Sequence, residues 1–349
     1  MLVHVKHCPG AVSPQWSGEL RSRGEERIVR AVNVTRTDGP GAVQVGEVPD
    51  PVRGDEEVLV EVRAAGVNFP DLLLTKDMYQ YKPELPFVLG GEFAGVVREA
   101  PAGSEFSPGD RVAGSSTVGA FAELVSVPAG NVYPLPGKVD FVAGACLPMN
   151  YLTMTFALLT RGALRAGETV LVHGAAGGIG TAAIQLAKAL DARVIAVVSS
   201  EAKADFVLAV GADDAVLADG FKHSVAKLTG GRGVDMVVDP VGGDRFTDSL
   251  RCLAPLGRLL VIGFTTGDIP TVKVNRLLLN NIDVRGVGLG AYAVSRPDFL
   301  RGEWDRLVPY LESGAVAPPV SGVFPLERAG EAIAQLEDRR VLGKVVLVP

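Results

Sequence analysis

Thr169 to Leu190 reads TVLVHGAAGGIGTAAIQLAKAL, and this stretch decides the fold. Thr169–His173 is rich in β-branched and apolar residues and is bounded by Gly167 and Gly174, which predicts a buried strand. Ala183, Leu186, Ala187 and Leu190 then recur at i, i+3, i+4 and i+7, on one face of a helix. Between strand and helix lies Ala175-Ala176-Gly177-Gly178-Ile179-Gly180, the dinucleotide fingerprint with alanine in place of the first glycine. A pyrophosphate needs backbone N–H donors and the positive end of a helix dipole. A Cβ at Gly177 would hold the phosphate away from the backbone, and one at Gly180 would push the helix off the strand. Ala176, Gly177, Gly178, Ile179 and Gly180 are therefore expected to bind the cofactor. A tight turn that binds nothing is the competing reading, and the strand before and helix after the glycines weigh against it.

Downstream, the pattern alternates. Strands are expected at Arg193–Val198, Met236–Asp239, Leu259–Phe264 and Asp283–Val287, with helices at Gly180–Leu190, Ala202–Val210, Phe221–Thr229 and Asp244–Leu253. Such alternation marks an α/β fold with a doubly wound parallel sheet. Upstream, Ile28–Val34, Ala42–Val48, Val58–Ala65, Glu92–Arg98, Arg111–Gly114 and Ala120–Val127 read as strands between glycine turns, a β-rich barrel-like or sandwich-like module. The tail holds helices at Arg301–Ser313 and Arg328–Asp338 and a last strand at Gly343–Val348. Residues 1–27 mix proline, glycine and scattered charge without a period, as a disordered or non-native extension would; His4, His7 and Cys8 there lack the rigid frame of a metal site.

The 349 residues leave room for two cores, and a net charge of −6 with no basic run argues against nucleic acid as partner. No apolar run reaches membrane-spanning length. Cys8, Cys146 and Cys252 form neither a disulfide framework nor a CxxC pair, which fits a reducing cytoplasm.

The order of parts resembles the medium-chain dehydrogenase/reductase superfamily, and within it the zinc-free quinone oxidoreductase (zeta-crystallin-like) family. The resemblance runs from Ile28 to Pro349 and rests on AAGVNFPDLLL (Ala64–Leu74), LPFVLGGEFAGVV (Leu85–Val97), VDMVVDPVGG (Val234–Gly243) and the ending GKVVLVP. It implies a GroES-like catalytic domain over 28–150, a Rossmann NADPH-binding domain over 151–287, a return to the catalytic domain over 288–349, and an active site between them. Zinc enzymes of this superfamily carry a cysteine where this chain has Asn68 and a histidine where it has Gly91; their third ligand falls near Met149. The resemblance therefore implies no metal and hydride delivery to an already activated acceptor.

Ser199-Ser200 and Lys203 stand where an NAD site places an acidic residue, and suit a 2′-phosphate, so NADPH is the expected cofactor; Glu201 is the objection in the same turn. The resemblance places Gly263 and Phe264 over the nicotinamide, with Lys344 reaching the cofactor. It makes Asn68 and Tyr79 the catalytic pair, Asn68 beside ribose or substrate carbonyl and Tyr79 donating to the carbonyl or enolate, while Asp71 supports the loop. The expected partners are a small quinone or α,β-unsaturated carbonyl and a second copy in a homodimer. Two alternatives stay open: an enoyl-thioester reductase, and an NADPH-binding structural protein without turnover.

Overall fold

The computed structural model describes residues 27–296 and 298–349; the expectations on residues 1–26, with His4, His7 and Cys8, lie outside them. The first module contains β1 (Ile28–Val34), β2 (Gln44–Pro49), β3 (Glu57–Val67), β4 (Phe87–Val88), β5 (Glu92–Glu99), β6 (Arg111–Ser115), β7 (Leu124–Pro128) and β8 (Val132–Pro134). Valines and alanines alternate with charged residues along β3, so Val58, Val60, Val62 and Ala64 point inward and pack with Phe93, Phe121 and Val125 or their neighbours.

The second module contains β9 (Thr169–Val172), β10 (Arg193–Val198), β11 (Asp214–Leu217), β12 (Val234–Asp239), β13 (Leu253–Val261) and β14 (Asp283–Gly286). They form one parallel sheet in the order β11-β10-β9-β12-β13-β14. The chain winds outward from β9 in both directions, so the switch point falls between β9 and β12, where the glycine turn leaves the carboxyl end of β9. Helices cover the faces, among them Gly178–Ala189, whose Ala182, Ala183, Leu186 and Ala187 are buried.

The tail adds β15 (Val320–Pro325) and β16 (Lys344–Val348) to the first module's larger sheet, ordered β15-β16-β3-β5-β6-β8 with β7 also on β3. The helix Phe299–Ser313 is pinned to β8 by Trp304, which stacks on Tyr133 with centroids 5.0 Å apart and donates to the Pro134 carbonyl. Four strands differ from expectation by being present at all, and each ends a sheet: β4 and β8 are only two and three residues long, and the short mixed runs of half-exposed β11 and β15 carry little apolar signal. The strand expected at Leu259–Phe264 ends at Val261, leaving Gly263 and Phe264 in the following loop, and the one expected from Ala120 begins at Leu124.

Candidate active site

Three strand ends meet in the cleft. Asn68 follows the last residue of β3, Glu92 opens β5, and Lys344 opens β16. Antiparallel pairing sets Val345 opposite Val67 and Phe93 opposite Ala65, which brings these three side chains together. Gly66 makes room for them, because a Cβ there would fall 2.4 Å from Glu92 Oε1. The Lys344 ammonium donates to Glu92 Oε1 and Asn68 Oδ1, each at 2.7 Å, and to the Val67 carbonyl at 2.9 Å. Asn68 Nδ2 donates to Glu92 Oε1 and the Gly66 carbonyl, and the Met149 N–H donates to Glu92 Oε2. The amide orientation is forced, since only its oxygen can face an ammonium and only its nitrogen a carboxylate.

This geometry shows how two of the expected site residues are engaged. Lys344 is 3% exposed with all three donors engaged, so its ammonium is part of the cleft wall. Asn68 has both amide hydrogens engaged, so it offers an incoming carbonyl no free donor. It is the N-cap of the helix Phe69–Leu74, and Asp71 accepts its N–H at 2.7 Å.

Burial pushes Asp71 up to about 7, offset only in part by the Asn68 N–H and Lys344. A carboxyl raised above its unfolded value binds its proton more tightly in the native state, so its contribution to stability is lost as pH rises from about 4 through about 7. Asp71→Asn keeps the acceptor for Asn68 and removes the charge. Its stability should gain on the parent's as pH is raised from 5 to 8, by about 2–3 kcal/mol; a gap that narrows with pH would refute this.

Tyr79 is half-buried beside the first module's core, and its hydroxyl has no hydrogen-bond partner among the described residues. Burial, then the nearby Asp71, raises its pKa, which keeps the phenol protonated.

Across the cleft the glycine turn is open. Gly177 precedes the helix Gly178–Ala189 with no side chain capping it, and the N–H groups of Gly178, Ile179 and Gly180 meet no acceptor among the described residues. A Cβ on Gly177 would meet only Gly174 O, at 3.5 Å, so the fold itself does not demand glycine there. One on Gly180 would lie 2.5 Å from the Ala175 backbone, the close helix–strand approach expected. Ala176 is buried and contributes its carbonyl to the Gly343 N–H at 2.7 Å. Together the free N–H groups and the open space fit a pyrophosphate.

Ser199 and Ser200 are exposed at the end of β10, and Ser200 opens the helix Glu201–Val210. Lys203 Nζ donates to the Arg339 carbonyl at 2.8 Å, and burial and then the Arg339 charge lower its pKa. Sequence reasoning missed Arg339. Lys203 is thus tied to the Arg339 backbone and feels its charge, beside the Ser199 and Ser200 hydroxyls, a setting that fits a phosphate. Gly263 and Phe264 lie on the same edge of the sheet; the Thr265 N–H donates to Pro240 O, and a Cβ on Gly242 would come within 3.0 Å of the Phe264 ring.

Beneath the turn, Ser249 Oγ lies 2.8 Å from His173 Nε2, and burial depresses His173 to about 4. Both are sealed from solvent, so this serine–histidine pair is a neutral packing contact without access to a substrate.

At the superfamily's metal position, the one carboxylate, Glu92, is already paired with an ammonium, and among the described residues no group of three His, Cys, Asp or Glu could hold a metal. Among the described residues no helix is long and apolar enough to cross a membrane.

The chain matches the family model "Zinc-binding dehydrogenase" over residues 178–311 and "Alcohol dehydrogenase GroES-like domain" over residues 54–137. It is 37% identical over 345 residues to quinone oxidoreductase-like protein 2 of Rattus norvegicus, covering 97% of this chain and 98% of that protein. A probable oxidoreductase from Mycobacterium abscessus superposes with a TM-score of 0.86 at 46% identity, over 93% of this chain and 100% of that one. Escherichia coli quinone oxidoreductase complexed with NADPH superposes with a TM-score of 0.83 at 29% identity, over 92% and 100% of the two chains.

Proposed function

The chain belongs to the quinone oxidoreductase family of the medium-chain dehydrogenase/reductase superfamily, and on that premise we propose that it reduces a quinone or an α,β-unsaturated carbonyl with NADPH and without a metal. The observation that carries this reading is the uncapped glycine turn at the sheet's switch point, facing a wall where an ammonium fills the cation's place.

When bound, NADPH supplies the hydride. The N–H groups of Gly178, Ile179 and Gly180 hold its pyrophosphate, and Ser199, Ser200, Lys203 and Arg339 take the 2′-phosphate. Gly263 and Phe264 cover the nicotinamide end. Conjugated acceptors accept hydride directly once held at reacting distance, so orientation by the cleft does most of the catalysis. Asn68 positions the wall through Lys344 and Glu92. Tyr79, protonated and unengaged, delivers the proton that the reduced carbonyl oxygen or enolate needs.

Tyr79→Phe should lower kcat by about 100-fold while leaving NADPH affinity within about twofold; an unchanged kcat removes Tyr79 from the mechanism. The reading as a whole is tested by NADPH oxidation with 1,4-benzoquinone, a simple enone and crotonyl-CoA, with and without chelator. Turnover of the quinone or enone that survives the chelator supports it. Turnover of crotonyl-CoA alone would make the protein an enoyl-thioester reductase, and stabilisation by NADPH without any oxidation would make it a binding protein.

We place the protein in the cytoplasm, in line with Cys146 and Cys252 being buried free thiols. We also propose a homodimer through β14, whose only partner strand among the described residues is β13 and near which Val274, Leu278 and Leu279 are exposed. Light scattering should give twice the chain mass; a monomer at micromolar concentration would exclude it.

A further inference from the structure

We propose that Gly343 and Lys344 couple the dinucleotide turn to the substrate side of the cleft, with Lys344 as the positioning residue; the proposal rests on the NADPH reading above. The coupling begins in the backbone. Gly343 forms a parallel bridge with Gly177, and its N–H donates to Ala176 O at 2.7 Å. Only glycine allows so close an approach, because Gly343 has φ +70° and a Cβ there would fall 2.2 Å from Pro319 O. The next residue carries the contact across. The Lys344 stem passes beneath the turn, with Cδ 3.0 Å from where a Cβ on Gly178 would stand. Its ammonium then grips Asn68, Glu92 and the Val67 carbonyl, three donors on three acceptors.

Two consecutive residues thus touch the phosphate-binding turn at one end and the cleft wall at the other. No loop intervenes, and pairing of β16 with β3 holds the connection straight. A bound dinucleotide that orders the turn will order Asn68 and the start of its helix through this link. The ammonium does more than balance charge: it donates to Asn68 Oδ1 at 2.7 Å, while the Asn150 amide stands off at 3.5 Å.

Hydrogen exchange, with and without NADPH, tests this. In the parent protein NADPH should slow amide exchange at 174–180 and also at 66–72. Lys344→Met should keep the protection at 174–180 and lose it at 66–72, with kcat down by about 100-fold and KM for NADPH within about threefold. The single substitution strands a buried carboxylate, so Glu92→Gln combined with Lys344→Met should recover the thermal midpoint but neither the protection at 66–72 nor kcat. If Lys344→Met retains both, or the double variant regains both, Lys344 serves only to neutralise Glu92 and the coupling is refuted. If NADPH gives the parent no protection at 174–180, the cofactor reading fails and the coupling falls with it.

Discussion

Gly177→Ala should melt within a few degrees of the parent protein yet bind NADPH at least about tenfold more weakly, whereas Gly180→Ala should lose about 3 kcal/mol of stability. The substitutions are three residues apart and add the same methyl group. At position 177 that methyl meets only Gly174 O at an ordinary 3.5 Å, and the backbone (φ −88°, ψ 179°) suits any residue. It instead enters the space that a pyrophosphate needs above the free N–H groups, displacing bonds worth about 1.5–3 kcal/mol each. At position 180 the methyl would sit 2.5 Å from Cα, C and O of Ala175, none of which can rotate away. The helix must lift off β9, opening contacts along its buried alanines. Thermal melts and cofactor titrations of the two variants separate the effects. Loss of stability in Gly177→Ala, or retention of it in Gly180→Ala, would contradict the assignment of one glycine to ligand and the other to packing.

Lys203→Ala should weaken NADPH by about 10- to 100-fold and leave NADH within about threefold, narrowing or abolishing the preference between them. The two cofactors differ only by the 2′-phosphate. Lys203 is held against the Arg339 carbonyl, and its lowered pKa comes from burial first and the Arg339 charge second. A phosphate dianion between them reverses the second influence and supplies charge-assisted bonds. Titration of both cofactors into parent and variant is the measurement; an equal loss for NADH would mean that Lys203 acts through the fold.

The second module was legible because its helices and inner strands are long, apolar and periodic. β11 and β15 were not, since an edge strand buries one side and its residues need not declare a period. The glycine turn was legible for the same reason that it works: each glycine answers a separate steric demand. The cleft wall was harder. Glu92 stands at the head of the apolar run Phe93–Val97 and Lys344 at the head of Val345–Val348, 252 positions apart in the chain. A lone charge entering a buried strand signals a partner, but only the β5–β3–β16 pairing identifies which. Asn68 was singled out as a site residue, while the engagement of its amide depends on both of those charges and so lay beyond local reading. Arg339 was invisible because Lys203 meets its carbonyl across 136 positions of chain.

The position of β16 inside the first module's sheet has a consequence for biogenesis. During synthesis the ribosome releases β3 early, but the strand that lies beside it, between β3 and β15, emerges only after the whole second module. All six strands of the second module are made in one uninterrupted stretch between these events. The nucleotide-binding half can therefore mature on the nascent chain while the half begun first waits with an open seam. Release of β16, rather than the order in which the halves were started, closes that seam.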